Sequence, residues 1–299
     1  LQRLGAKIIQ IDYQDQQRLQ RELEQVSVLL VVPENSSNAR QEGKNLIRAA
    51  RQTNVQYVGL FSLVSADQAQ QEQQSIRNLR ELEQIVQQQF SDNYTILRSS
   101  LFSQIFYYMT PIVEGRNQLD LPIQQDRQWS TVDVCEVVEA VYHLSRENGQ
   151  REGTFLGTLG NENNRLYQFT GNQINTGPQV AEEWSRALRP GRQIQYQQIQ
   201  PRQLEQYLRG IRDDDRFKTR PPTDDNEEEG CPRRDRPHSL PLGQFLNDEF
   251  IRLLIDIFAL ANQGKLEFKT DDLRNVLGRP PQELREYFLN NRDRFNRLR

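Results

Sequence analysis

The chain has 299 residues, long enough for one large α/β unit or for a core with a smaller companion. Its 38 basic and 41 acidic residues nearly cancel, which leaves no basic field to hold nucleic acid or an anionic lipid surface. The only cysteines, Cys135 and Cys231, are too few for a disulfide framework or a tetrahedral zinc site, and no apolar run approaches the ~18 residues of a membrane span.

AKIIQID (6–12) has the short β-rich pattern of a strand. Asp15 is placed to cap a helix that carries Leu19 and Leu23 at i and i+4. VSVLLVV (26–32) is an almost unbroken apolar run, as expected of a strand buried on both faces of a parallel sheet, and Pro33 stops it. GKNLIRAARQ (43–52) is helical with Leu46, Ile47 and Ala50 inward, and VQYVGLFS (55–62) is a second buried strand. Residues 68–89 read as one long glutamine-rich helix bearing Ile76, Leu79, Leu82, Glu83 and Val86, and YTILRSS (94–100) reads as a further strand. Strand and helix alternate as βαβ units do, which predicts a doubly wound parallel sheet.

The pattern then loosens. FSQIFYYMTPIVEG (102–115) reads as a helix cut by Pro111. DVCEVVEAVYHLSRE (133–147) reads as a helix capped by Asp133, with Val134, Val137, Val138 and Val141 inward. LYQFTG (166–171) and IQYQQI (194–199) are short strands, and 180–188 and 201–211 are helical. Residues 212–239 mix charge and proline without apolar period and read as a long surface loop. A strongly apolar helix over 245–265 and two more at 270–278 and 281–295 complete the chain. The expected organisation is a Rossmann-like core over 1–150 and a smaller α+β lobe over 151–299.

Several segments, in order and spacing, carry a resemblance: IQIDYQD (9–15), GKNLIRAA (43–50), VQYVGLFS (55–62), YTILRSSLFSQ (94–104), STVDVCEVVEAV (130–141) and the tail TDDLRNVLGRPPQELREYFLNNRDRF (270–295). Together they resemble the NmrA-like family, atypical short-chain dehydrogenases/reductases with a Rossmann domain and a smaller C-terminal lobe. The resemblance implies NADP or NAD as cofactor, held by a G-x-x-G-x-x-G turn after the first strand. No such turn occurs here. The family's third strand corresponds to residues 1–12, so the first two strands, the first helix and the glycine turn are expected upstream of Leu1. The first of those strands would be central, and its loss would orphan buried backbone groups at about 1–3 kcal/mol each.

The resemblance also implies site residues. Asp12 ends its segment where the family lines the adenine pocket, with a plain turn residue as the competing reading. Val32 and Pro33 would flank the adenine and its ribose, or simply end a strand. Ser62 stands where the superfamily often carries its catalytic Ser or Thr. Ser99, Ser100, Leu101 and Phe102 follow the strand beside the nicotinamide, although Phe102 and Phe106 read equally well as core.

The superfamily's acid–base pair is a Tyr and a Lys four apart on the long helix, the lysine making the tyrosine a better acid. SADQAQQEQQSIRNLRELEQIVQQQ (65–89) contains neither. Where NmrA-like reductases keep the lysine, a few residues before a glutamate matched by Glu83, this chain has Leu79. Arg77 and Arg80 are near, but a guanidinium stays protonated. The implied protein binds a dinucleotide without a catalytic residue set and passes its redox state to a protein partner through the smaller lobe, in the cytoplasm, or in the nucleus if it is a regulator. The alternative is an NAD(P)H-dependent reductase of quinones or small carbonyl compounds, with water or Ser62 relaying the proton. His143 reads as structural. Cys231 with His238 lacks further metal ligands, and the acidic run DDNEEEG (224–230) reads as a solvated loop or a docking strip for a basic partner. Direct nucleic-acid and membrane partners are not expected.

Overall fold

A computed structural model describes residues 5–146, 165–188, 191, 193–217, 242–292 and 295. Asp15 accepts the Arg18 N–H and starts α1 (Gln16–Leu23), which buries Leu19 and Leu23. β1 (Val28–Val31), α2 (Ala39–Arg51), β2 (Tyr57–Leu63), α3 (Gln74–Phe90) and β3 (Tyr94–Ser99) then alternate. They are followed by β4 (Leu101–Phe102), α4 (Ile105–Arg116), β5 (Gln118–Leu121), β6 (Gln128–Trp129), β7 (Thr131–Val132) and α5 (Val134–Leu144). The second half holds β8 (Leu166–Phe169), β9 (Asn175–Thr176), α6 (Gly177–Leu188), β10 (Gln195–Gln198), α7 (Pro201–Asp213), α8 (Asp248–Asn262), α9 (Asp272–Leu277) and α10 (Leu284–Asn290).

The main sheet runs β1-β2-β3-β8 with every pair parallel, so its strand ends all open on one side. Successive residues of β3 serve opposite faces. Ile96 joins Val58, Leu60, Leu82 and Val86 under α2 and α3, whereas Leu97 joins Val137, Ala140 and Phe169 under α5. Each of the Val, Leu, Ile and Phe side chains among them stabilises by about 1.5–3 kcal/mol on burial. Gly43 lets α2 approach α3, since a Cβ there would stand 2.9 Å from the Leu82 Cδ2 atom. This is the α/β, Rossmann-like parallel sheet that the alternating pattern predicts.

The rest of the chain is built on short pairs, β5–β10 parallel, β4–β7 parallel and β6–β9 antiparallel. Its core is aromatic. Trp184 stacks on Phe288 at 4.9 Å between ring centres, and Phe106 lies 5.3 Å from Phe288, so Phe106 is a core residue. Among the described residues, no helix is long and apolar enough to cross a membrane.

Several expectations need correction. β1 is not buried on both faces, since Leu30 is 38 % exposed and Val32 beyond it 62 %, and Val138 of α5 is exposed, not inward. Residues 6–12 form no strand; Ile8 is 58 % exposed, and no described strand pairs with the outer edge of β1. A strand is made by its neighbour, and this segment has none. The long helix starts at Gln74, not at 68, because Gln73 turns its side chain back onto the Gln70 N–H and Asp256 of α8 caps the Ser75 N–H. Pro111 does not cut α4, which runs on to Arg116. The Tyr207 hydroxyl, from α7, donates to the Tyr108 carbonyl at 2.6 Å and also bonds the Ile112 backbone, so it occupies the ladder beside the proline. The terminal apolar helices are shorter than expected, α8 being started by the Asn247 cap on the Phe250 N–H and α10 spanning only Leu284–Asn290. Of the charged segment 212–239, residues 218–239 lie outside the described residues, and with them the acidic run, Cys231 and His238.

Candidate functional site

A cavity of about 460 Å³ opens at the carboxyl ends of β1, β2 and β3. This is where ligands bind in open α/β sheets. Val32 and Pro33 enter it just beyond β1, Phe61, Ser62 and Leu63 from β2, Ser99 and Ser100 from the end of β3, and Phe102 from β4. Val134, Val137 and Val138 of α5 wall one side. Phe250, Leu253, Leu254 and Ile257 of α8 cover it. The strand-end rule thus brings together Val32, Pro33, Ser62, Ser99, Ser100 and Phe102. Asp12 is not among these walls; its carboxylate accepts the Gln14 N–H at 2.9 Å in a local turn.

The lining is apolar, with no charged side chain among the described residues. Its polar atoms stand out accordingly. The hydroxyls of Ser62 and Ser100 are buried and have no hydrogen-bond partner. An unsatisfied hydroxyl costs about 1–3 kcal/mol, which a bound donor or acceptor would recover.

Leu79 of α3 lies in the wall, where the family resemblance places a lysine. One turn on, Glu83 faces away from the cavity and grips Arg98 of β3. Arg98 donates from Nε and Nη2 to the two Glu83 oxygens at 2.9 and 2.7 Å, and from Nη1 to Asp67 at 2.6 Å. Burial works against the Arg98 charge, but its hydrogen bonds and charge attraction to Glu83, then to Asp67, leave the guanidinium above its usual pKa. This network ties α3 to the sheet beneath the cavity and offers it no proton.

Tyr108 of α4 also lines the cavity, a residue that sequence reasoning missed. Burial pushes its phenol well above the usual tyrosine range, and no cation lines the cavity to counter this. The signal was present in the aromatic run FYYM (106–109), but helical periodicity alone does not tell which of these rings faces a cavity and which faces the core. The sequence likewise shows the covering residues of α8 only as part of an apolar helix. His143 is half exposed, with Nε2 3.8 Å from Glu139 on the same helix, and no metal-like cluster occurs among the described residues.

The sequence matches the NmrA-like family over residues 1–216. The chain belongs to that family. No curated protein matches it. Solved structures share its fold at low identity. An NADPH-dependent quinone oxidoreductase from Escherichia coli, complexed with NADPH, is 20 % identical with a TM-score of 0.66, covering 95 % of this chain and 82 % of its own. Citrobacter sp. triphenylmethane reductase, complexed with NADP(H), is 15 % identical with a TM-score of 0.68, covering 97 % and 84 %. NmrA, a negative transcriptional regulator in complex with NADP, is 13 % identical with a TM-score of 0.60, covering 99 % and 83 %. This NmrA-like chain therefore has a fold found in both reductases and a regulator.

Proposed function

We propose that this protein binds NADP or NAD with the nicotinamide end in the strand-end cavity, and that it reports the dinucleotide's redox state to a protein partner without turning substrate over. One observation carries the reading: the cavity holds no charged side chain, with Leu79 in the wall and Tyr108 lacking any cation to make it a usable acid.

The residues present suit the ring end of a dinucleotide. The Ser62 and Ser100 hydroxyls need partners, and a carboxamide or ribose hydroxyl offers them. Phe102, Val138 and Leu254 give the ring an apolar wall, while Val32 and Pro33, beyond the end of β1, suit the ribose. No glycine-rich phosphate turn lies among the described residues. When bound, the nicotinamide supplies hydride chemistry. The cavity walls discriminate its two states by charge, because an apolar, uncharged enclosure favours the neutral reduced ring over the cationic oxidised one. A difference in affinity between states is what a sensor requires. In this reading, residues 1–150 form the dinucleotide core and 151–299 the partner-facing lobe, and the protein works in the cytoplasm or nucleus.

Fluorescence titration with NADPH and NADP is the test, paired with steady-state NADPH oxidation in the presence of a quinone panel. The expected result is tighter binding of NADPH and turnover below about 1 s⁻¹, the low end of ordinary enzymes. Faster turnover would replace this reading with the second one, an NAD(P)H-dependent reductase of quinones or small carbonyl compounds. Ser62 and Ser100, hydroxyl-bearing residues of an otherwise apolar lining, favour that alternative as the proton relay beside an acceptor oxygen.

A further inference from the structure

A second cavity, of about 500 Å³, lies along the C-terminal half of α4, bounded by β5 and α7. It shares no lining residue with the first. Pro111, Ile112 and Ile199 give it an apolar wall. Most polar groups around it are already committed: the Tyr207 hydroxyl bonds the Tyr108 carbonyl, and the Gln203 side chain accepts the Gln200 N–H at 2.8 Å.

Two groups are not. Asp120 of β5 is 7 % exposed, and its Oδ1 is buried with no hydrogen-bond partner. Arg116, at the end of α4, lines the same cavity and makes no hydrogen bond or ion pair among the described residues. Burial raises the Asp120 carboxyl above the usual carboxylate range, and the Arg116 charge acts in the opposite direction, so the two groups feel one another without joining. A buried acid and a solvent-facing cation thus line one cavity without pairing.

We propose that this cleft binds a small zwitterion of the amino-acid class, its ammonium on Asp120, its carboxylate on Arg116 and its apolar side chain against Pro111, Ile112 and Ile199. A simple anion placed on Arg116 would face the Asp120 carboxylate, and a simple cation placed on Asp120 would face the guanidinium. A ligand that carries both charges meets both requirements. The proposal is independent of what the first cavity holds.

Isothermal titration with the common L-amino acids, using L-leucine as the reference probe, tests it on the full chain. N-acetyl-L-leucine removes the ammonium, and L-leucinamide removes the carboxylate. The expected result is binding of L-leucine or another apolar L-amino acid, at least about tenfold weaker binding of both blocked forms, and a loss of at least about tenfold in Asp120→Asn and in Arg116→Gln. Melting of unliganded Asp120→Asn at or above the wild-type temperature would show that the carboxylate is not a structural strut. The idea is overturned if no L-amino acid binds at about 1 mM, if blocked and free forms bind alike, or if Asp120→Asn binds as wild type does.

Discussion

Two buried charges in this protein are handled in opposite ways. Arg98 is enclosed between α3 and the sheet and is met on three sides by carboxylate oxygens, with Glu83 itself 3 % exposed. Asp120, buried to a similar degree in the second half of the chain, has an oxygen that meets nothing. The first arrangement fixes the position of a helix and resists change. The second stores an unmet requirement at the wall of a cavity, which is how binding sites differ from scaffold.

The largest expected effect comes from breaking the satisfied network. Arg98→Met strands Glu83 without a partner and should cost about 3–5 kcal/mol in urea unfolding. Adding Glu83→Leu to it should recover much of that loss, because the pair as a unit contributes far less than its severed half costs. A single-variant loss below about 1 kcal/mol would mean that water already reaches this site.

Asp120→Asn should act in the reverse direction, raising stability at pH 7 by about 1–2 kcal/mol. The pH dependence fixes the sign. The folded-state pKa of this carboxyl is raised by burial, so its contribution is most favourable below the unfolded value, about 3.9, and is lost as pH rises through the folded value. The advantage of the variant should therefore vanish in melts at about pH 3. A constant advantage from pH 3 to 7 would remove charge burial as the cause.

Tyr207→Phe takes the hydroxyl from the α4 ladder and should cost about 1 kcal/mol, read as faster hydrogen exchange around Ile112. Smaller still is the surface. The Arg186–Glu182 pair is 2.5 Å long but half exposed at both ends, and Arg186→Ala should cost about 0.3–0.5 kcal/mol, declining with salt. A loss as large as that of Arg98→Met would erase the distinction between enclosed and exposed charge.

How much of this was legible in the sequence depends on the range of the cause. β2 and β3 were legible because a run such as VQYVGLFS is apolar on both faces whatever else surrounds it. The strand ends were legible from where such runs stop, and Val32, Pro33, Ser62, Ser99, Ser100 and Phe102 stand at or just beyond them. Residues 6–12 were misread because pattern shows what suits a strand, not what lies beside it. The start of α3 depends on Asp256, 181 positions from Ser75, and the continuity of α4 on Tyr207, 99 positions from Tyr108. Glu83 gave a partial signal, since a carboxylate on the inward stripe with Leu79, Leu82 and Val86 demands a buried partner. Only the fold named Arg98. Asp120 gave none, because a single acid in LDLP carries no mark of what it fails to meet.

α4 is a party wall. Tyr108 faces one chamber, Pro111 and Arg116 face the other, and the Tyr207 hydroxyl fastens the span between them. A displacement of this one rod is shared by both rooms. Whatever free energy an occupant of either gains from the rod's position is returned with the same size and sign to an occupant of the other, as thermodynamic reciprocity demands.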